Sequence, residues 1–165
     1  MPSSIVIRSI STVNSNFHPW YNIDYKQYNY RFFIKRPSPF NAPFGWYYPY
    51  TFDIDTLYKA LQLYKGTHDF RSFITGAEQD QSTICTIYDI NLSFNKNMYC
   101  YSITIKGNRF MRYMIRRIVG AALYTASHPN GSIALLKQIL QNQNPHHKLP
   151  KAPALGLTLQ KIKYK

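Results

Sequence analysis

Acidic side chains are scarce in this chain: seven Asp and Glu among 165 residues. A site built on several carboxylates has little to draw on. The seven are Asp24, Asp53, Asp55, Asp69, Glu78, Asp80 and Asp89. Asp53 reads as a helix cap, Asp55 belongs to the same turn, and none lies in a segment resembling a nucleophile site. Cysteine is nearly absent too, with Cys85 and Cys100 only. Folding a hairpin at Asn95 to Asn97 sets Cys100 near Ser93 and leaves Cys85 far away, which excludes a disulfide; two cysteines alone cannot make a structural zinc site either. No run approaches the roughly 18 apolar residues of a membrane span. Met1 to Arg8 has neither the basic nor the apolar stretch of a signal peptide. A cytoplasmic protein without membrane association is expected. Glycine-rich phosphate loops, G-x-S-x-G and H-E-x-x-H are missing as well.

Cations and aromatics are abundant. Twenty Lys and Arg give a formal charge of +13 and a pI near 9.8, which suits a polyanionic partner through counterion release, unless it reflects a general bias of composition. Fifteen tyrosines and ten phenylalanines, within a 45% hydrophobic composition, exclude a disordered chain. The length suits one domain spanning residues 1–165.

Ile5-Val6-Ile7-Arg8-Ser9-Ile10 reads as a short β-branched strand. From Tyr28 to Arg36, Tyr28, Tyr30, Phe32 and Ile34 alternate with Asn29, Arg31 and Lys35, predicting a half-buried strand with a basic second face. Residues 37–50 hold prolines, a glycine and aromatics and are expected to be irregular. Asp53 opens a helix whose Leu57, Ala60, Leu61 and Tyr64 share a face, and Gly66 is placed to stop it. Ile84 to Phe94 and Tyr99 to Lys106 form a hairpin. Helices follow, from about Arg109 to Ser127 and from about Ser132 to Leu140, with Ile133, Leu136, Ile139 and Leu140 inward. Leu155 to Lys163 closes as a strand. The fold class is α+β, a mostly antiparallel sheet with helices packed on one face.

Read as a helix, Asn108 to Gly120 puts Phe110, Met111, Met114, Ile115 and Ile118 on one face, with Arg109, Arg112 and Arg116 within roughly 60° of one another on the other. Such a stripe binds phosphates, holds a carboxylate in an active site, or is a solvated helix face. Arg116 lies toward the edge of the core, which suits a partly buried ion pair. Lys26-Gln27-Tyr28-Asn29-Tyr30-Arg31 interleaves aromatics and cations, as a base-stacking surface does or as buried structural tyrosines do. His18 is a base contact or a strand-end histidine. His146-His147 has no further ligand at zinc spacing and reads as surface.

In these residues and their spacing, the chain resembles TruA-type tRNA pseudouridine synthases over nearly its whole length. Met1-Pro2-Ser3-Ser4-Ile5-Val6-Ile7 is similar to the family's Leu-Pro segment and strand. Phe17-His18-Pro19-Trp20 resembles its Phe-His-Ala-Arg segment, and Tyr28-Asn29-Tyr30 its Tyr-x-Tyr strand. His68-Asp69-Phe70-Arg71-Ser72-Phe73 resembles H-D-F-x-S-F, and Phe110 to Gly120 resembles F-x-x-x-M-V-R-x-I-V-G. Ala152-Pro153-Ala154-Leu155-Gly156-Leu157-Thr158-Leu159 resembles the tail A-P-A-x-G-L-x-L.

The resemblance implies one half of a two-half α+β fold. It also implies isomerisation of uridine to pseudouridine in the anticodon arm of tRNA, with no cofactor and no metal. The target base must leave its stack to react. Tyr28 matches the family tyrosine that stacks on that base, and Arg116 the arginine that pairs with the catalytic aspartate and holds it ionised. These two are the candidate catalytic residues; His18, Lys26, Arg31, Asn108, Arg109, Arg112 and Arg117 are the RNA-binding candidates. tRNA is the expected partner, with homodimerisation as in the family. The family's aspartate motif lies upstream of the Leu-Pro segment, where this sequence has Met1, so no nucleophile is expected here. The alternatives are an N-terminal half supplied as a separate chain and a non-catalytic RNA-binding module. Trp20 stands at a family arginine and Leu155 at an acidic or polar residue, so RNA contacts are expected to differ.

Overall fold

The structure is a computed structural model, and it describes residues 2–75 and 82–165. Glu78 and Asp80, two of the carboxylates named above, lie outside the described residues. Six strands make a mixed sheet: β1 (Ile23–Phe33), β2 (Trp46–Tyr47), β3 (Gly66–Asp69), β4 (Ile84–Asn95), β5 (Cys100–Gly107) and β6 (Leu157–Tyr164). The order is β2-β1-β5-β4-β3, with β6 on β1. Every pairing is antiparallel except that of β1 with β2. Among the described residues three helices, α1 (Ile54–Gln62), α2 (Met114–Ser127) and α3 (Ile133–Asn142), complete the expected α+β architecture.

Alternation along the strands explains how the sheet acquires its two faces. Tyr30 of β1 stands opposite Ile103 of β5, which stands opposite Leu92 of β4, and Tyr28, Ile105 and Ile90 form the next row. These side chains join one core with Leu57, Ala60 and Leu61 of α1, Met114, Ile115, Ile118 and Val119 of α2, and Leu136, Ile139 and Leu140 of α3. The intervening row of Asn29, Thr104 and Asn91 belongs to the other, polar face, where the Asn29 amide donates to Thr104 Oγ1 at 3.2 Å. Asp53 is the expected cap of α1, accepting from Thr56 N at 2.6 Å, and Ser132 caps α3, accepting from Leu135 N at 3.3 Å. Gly66 acts at the opening of β3, at φ 109°, and α1 has already ended at Gln62.

Several expectations are corrected. Ile5 to Ile10 is not a strand: it pairs with none of the six strands, and Ile5, Val6, Ile7 and Ile10 are exposed, so β-branched content alone does not make the segment extend a sheet. Residues 37–50 are not wholly irregular: Ala42–Phe44 forms a 3-10 turn, and Trp46–Tyr47 pairs with Phe32 and Phe33. In the hairpin Cys100 faces Asn95, and Ser93 faces Ser102. Both cysteines are buried and free. Finally α2 starts at Met114, five residues after the expected Arg109.

The late start of α2 has a local cause. The Asn108 side-chain oxygen accepts from Thr86 N at 2.9 Å and Arg109 N at 2.7 Å, and Asn108 N donates to Thr86 O at 3.0 Å. The backbone is thereby tied to β4 and cannot yet coil. Tyr113 then takes the left-handed conformation, φ 63°, immediately before the helix. Arg109 and Arg112 therefore precede the helix, and the three-arginine stripe does not exist as a helical face.

Candidate active-site cavity

Where β1, the 110–113 turn and the first turn of α2 meet, a cavity of about 390 Å³ opens. Tyr28, Phe110, Arg112, Tyr113 and Arg116 line it, and Ala154 and Leu157 close it from the chain entering β6. Tyr28 meets Phe110 edge-on, with ring centroids 5.3 Å apart at 82°. Burial pushes the Tyr28 phenol up from its ordinary range, so at neutral pH it is a neutral phenol.

Arg116 is held from below. Its Nε donates to Ala152 O at 2.7 Å, while Ala152 N donates to Arg116 O at 3.0 Å. Ala152 reaches this position because Gly120 has no side chain: a Cβ there would lie 2.8 Å from Pro150 C and 2.9 Å from Ala152 N. Gly156 similarly lets the chain cross Tyr30, whose ring a Cβ would meet at 2.7 Å, and Tyr30 Oη donates to Pro153 O at 2.8 Å. Burial raises the Tyr30 phenol well above its usual range, and the positive charge of Arg116 opposes this only weakly.

Around Tyr113 three cations gather. The guanidinium carbons of Arg112 and Arg116 lie 5.0 and 5.4 Å from its ring centroid, and Lys151 Nζ lies at 4.3 Å. A hydrogen bond from Arg112 to Tyr113 Oη, 3.3 Å long, and the charges of Arg112, Lys151 and Arg116 pull its phenol below the ordinary tyrosine value. No carboxylate answers these cations: among the described residues the one acid–base pair is Lys65 with Asp89, at 3.0 Å. Unpaired cations gathered beside the cavity favour an anion there. Also among the described residues, no three His, Cys, Asp or Glu side chains come together as a metal site would require.

Of the residues singled out from the sequence, Tyr28, Arg112 and Arg116 come together in the cavity. Lys26 lies on the same face of β1 as Tyr28, two residues along. His18 sits further out, with its ring on Tyr21 at 4.4 Å. The rest lie elsewhere. Arg31 projects from the opposite face of β1, and its buried Nε has no partner among the described residues. Asn108 is engaged with the Thr86 backbone as described. Arg109 reaches back to Ser82 O. Arg117 Nη1 donates to Ile74 O at 2.6 Å and Ser72 O at 3.4 Å, pinning the 71–73 turn to α2, and burial depresses its pKa. Sequence reasoning missed Tyr113 and Lys151. An aromatic between Arg112 and Arg116 was a usable signal for the first, whereas nothing local marks Lys151.

Residues 60–165 match the family described as tRNA pseudouridine synthase. The chain belongs to that family. A tRNA pseudouridine synthase A from Thermotoga sp. (strain RQ2) is 33% identical over 98% of this chain and 65% of its own length. That of Thermotoga neapolitana is 32% identical over the same shares, and tRNA pseudouridine synthase A 1 of Bacillus cereus (strain ATCC 14579) is 30% identical over 99% and 66%. The chain thus spans about 65% of the length of these synthases. The family match covers Arg112, α2 with Arg116, and the 152–157 segment, while Tyr28 falls within the longer similarity to the relatives.

Proposed function

We propose that this chain is the tRNA-holding part of a synthase that isomerises uridine to pseudouridine in the anticodon stem-loop, acting in the cytoplasm without cofactor or metal. The observation that carries this reading is Arg116, clamped through Nε, with no carboxylate partner among the described residues and a cavity in front of it that also contains Tyr28. An aspartate from outside these 165 residues, in a separate chain or a longer form of this one, enters beside Arg116, whose charge keeps it ionised. The target uridine leaves its stack and lies against Tyr28. The N1–C1′ bond breaks, the base turns, a C5–C1′ bond forms, the C5 proton departs to solvent and N1 takes up a proton. Tyr28, a neutral phenol at rest, packs on the base; Arg112 and Lys151 meet the flanking phosphates, and Lys26 and His18 extend the contact outward. Arg31, Asn108, Arg109 and Arg117 are left out of this assignment because their bonds or their face direct them away from the cavity. Homodimerisation would extend the basic surface available to tRNA.

The test is tritium release from tRNA labelled at uridine C5, run beside a salt titration of tRNA binding, with this chain alone. Salt-sensitive binding without release is expected. Release above background would put a nucleophile within this chain, and salt-insensitive binding or none would remove tRNA as the partner.

A further inference from the structure

Ahead of β1, residues 17–22 form a tight turn that displays two large aromatic rings to solvent. Trp20 is 76% exposed and Tyr21 80%, so neither serves the core. The turn is nevertheless well fixed. His18 N donates to Asn22 Oδ1 at 2.7 Å, and Asn22 N to His18 O at 3.0 Å. Trp20 N donates to His18 Nδ1 at 3.2 Å, and Lys165 N ties Asn22 O to the chain end at 2.9 Å. Phe17 packs edge-on against Tyr164 at 5.2 Å. These bonds fix the backbone that carries the indole, and holding that indole in water gives the fold nothing in buried area. It gives a ligand a rigid platform whose ordering cost is already met.

The surroundings indicate which ligand. Lys26 Nζ lies 5.9 Å from the Trp20 ring, and Lys26 and Tyr28 lie on one face of β1. Two residues along a strand span about 7 Å. The indole therefore stands just beyond Lys26 on the side of the sheet where the cavity opens. An aromatic face, an adjacent cation and a second aromatic pocket one short step away form the pattern that takes successive unstacked bases with a phosphate between them.

We infer that Trp20 is a base-stacking platform for an unpaired nucleotide next to the one held at Tyr28, with Lys26 meeting the phosphate between the two. The inference rests on the tRNA reading above. It adds a specificity-determining residue: the substrate must carry an unpaired neighbour beside its target, which favours a loop or stem-loop junction over a continuous helix.

The experiment uses the full chain carrying Trp46→Phe, which leaves Trp20 as the sole tryptophan reporter. Single-stranded oligouridylate and an abasic oligomer of equal length are titrated against its fluorescence. Oligouridylate should quench Trp20 and the abasic oligomer should not. Followed by anisotropy of a labelled oligomer, Trp20→Ala should weaken oligouridylate binding by about 5- to 150-fold, the loss expected from one stacked base, with the salt dependence unchanged. Trp20→Phe should recover most of that loss, and Lys26→Gln should flatten the salt dependence instead. Equal quenching by the abasic oligomer, or unchanged affinity in Trp20→Ala, overturns the inference while salt-sensitive tRNA binding keeps the broader reading standing. Failure of the chain to bind either oligouridylate or tRNA overturns both.

Discussion

Arg116 and Ala152 exchange two hydrogen bonds, Nε to O at 2.7 Å and N to O at 3.0 Å, so the side chain facing the cavity is anchored by the backbone it helps to hold. Only the terminal nitrogens of the guanidinium remain for a ligand, which restricts it to end-on recognition of an anion.

Because Nε is engaged structurally, Arg116→Met should lower stability as well as remove the charge. A loss of about 1–3 kcal/mol is expected in urea unfolding, the usual cost of losing a charged donor to a part-buried carbonyl. Unchanged stability would mean that the Ala152 backbone finds an equal partner without the guanidinium.

Gly120→Ala acts on the same clamp from the other side. The added methyl meets the Pro150–Ala152 backbone, which is far less able to yield than the tip of a side chain. Destabilisation of about 1–3 kcal/mol is expected by the same measurement. A neutral result would show that the 150–152 segment is free to move off α2.

Tyr64 is fully buried between Phe70 and Phe73, and its hydroxyl has no partner among the described residues. Tyr64→Phe should therefore stabilise the chain by about 1 kcal/mol and raise Tm by about 2–4 °C. A drop in Tm would reveal a hydrogen bond to the hydroxyl.

Arg112→Ala should weaken tRNA binding and make the log–log salt dependence shallower by about one unit if Arg112 meets one phosphate. An identical slope would place Arg112 outside the RNA footprint.

Tyr113 predicts a pH effect of definite sign. Its folded pKa lies below the ordinary value of 10.0, so between the two the unfolded chain holds a proton that the folded chain has released. Stability contributed by this group rises with pH through that window, and is absent below the folded pKa. Absorbance titration should find one tyrosine ionising early, lost in Tyr113→Phe and moved back toward the ordinary value in Arg112→Ala. An unmoved titration in Arg112→Ala would detach the phenol from its cation.

The legibility of the chain divides along physical lines. Asp53 was readable because a capping side chain acts within three residues of itself, and the β4–β5 hairpin because its alternation is local. The start of α2 was not readable: periodicity from Phe110 to Ile118 looks helical, but Asn108 is bonded to Thr86, a residue remote in sequence. Ile5 to Ile10 failed as a strand for a related reason, since propensity describes the segment alone whereas a strand needs a partner, and none of the six strands pairs with it.

The sequence alone determined the family, the α+β class and the basic character, and it singled out Tyr28 and Arg116 as candidates, because motifs, charge and short-range periodicity are properties of the chain itself. Only the tertiary structure decided which arginines share a site. Arg31 and Arg117 lie beside apparently equivalent cations in the sequence, yet one projects from the opposite face of β1 and the other is spent on the Ser72 and Ile74 carbonyls. Lys151 joins Arg112 and Arg116 because Gly120 lets a distant segment lie close against α2, and no local pattern in the sequence encodes that approach.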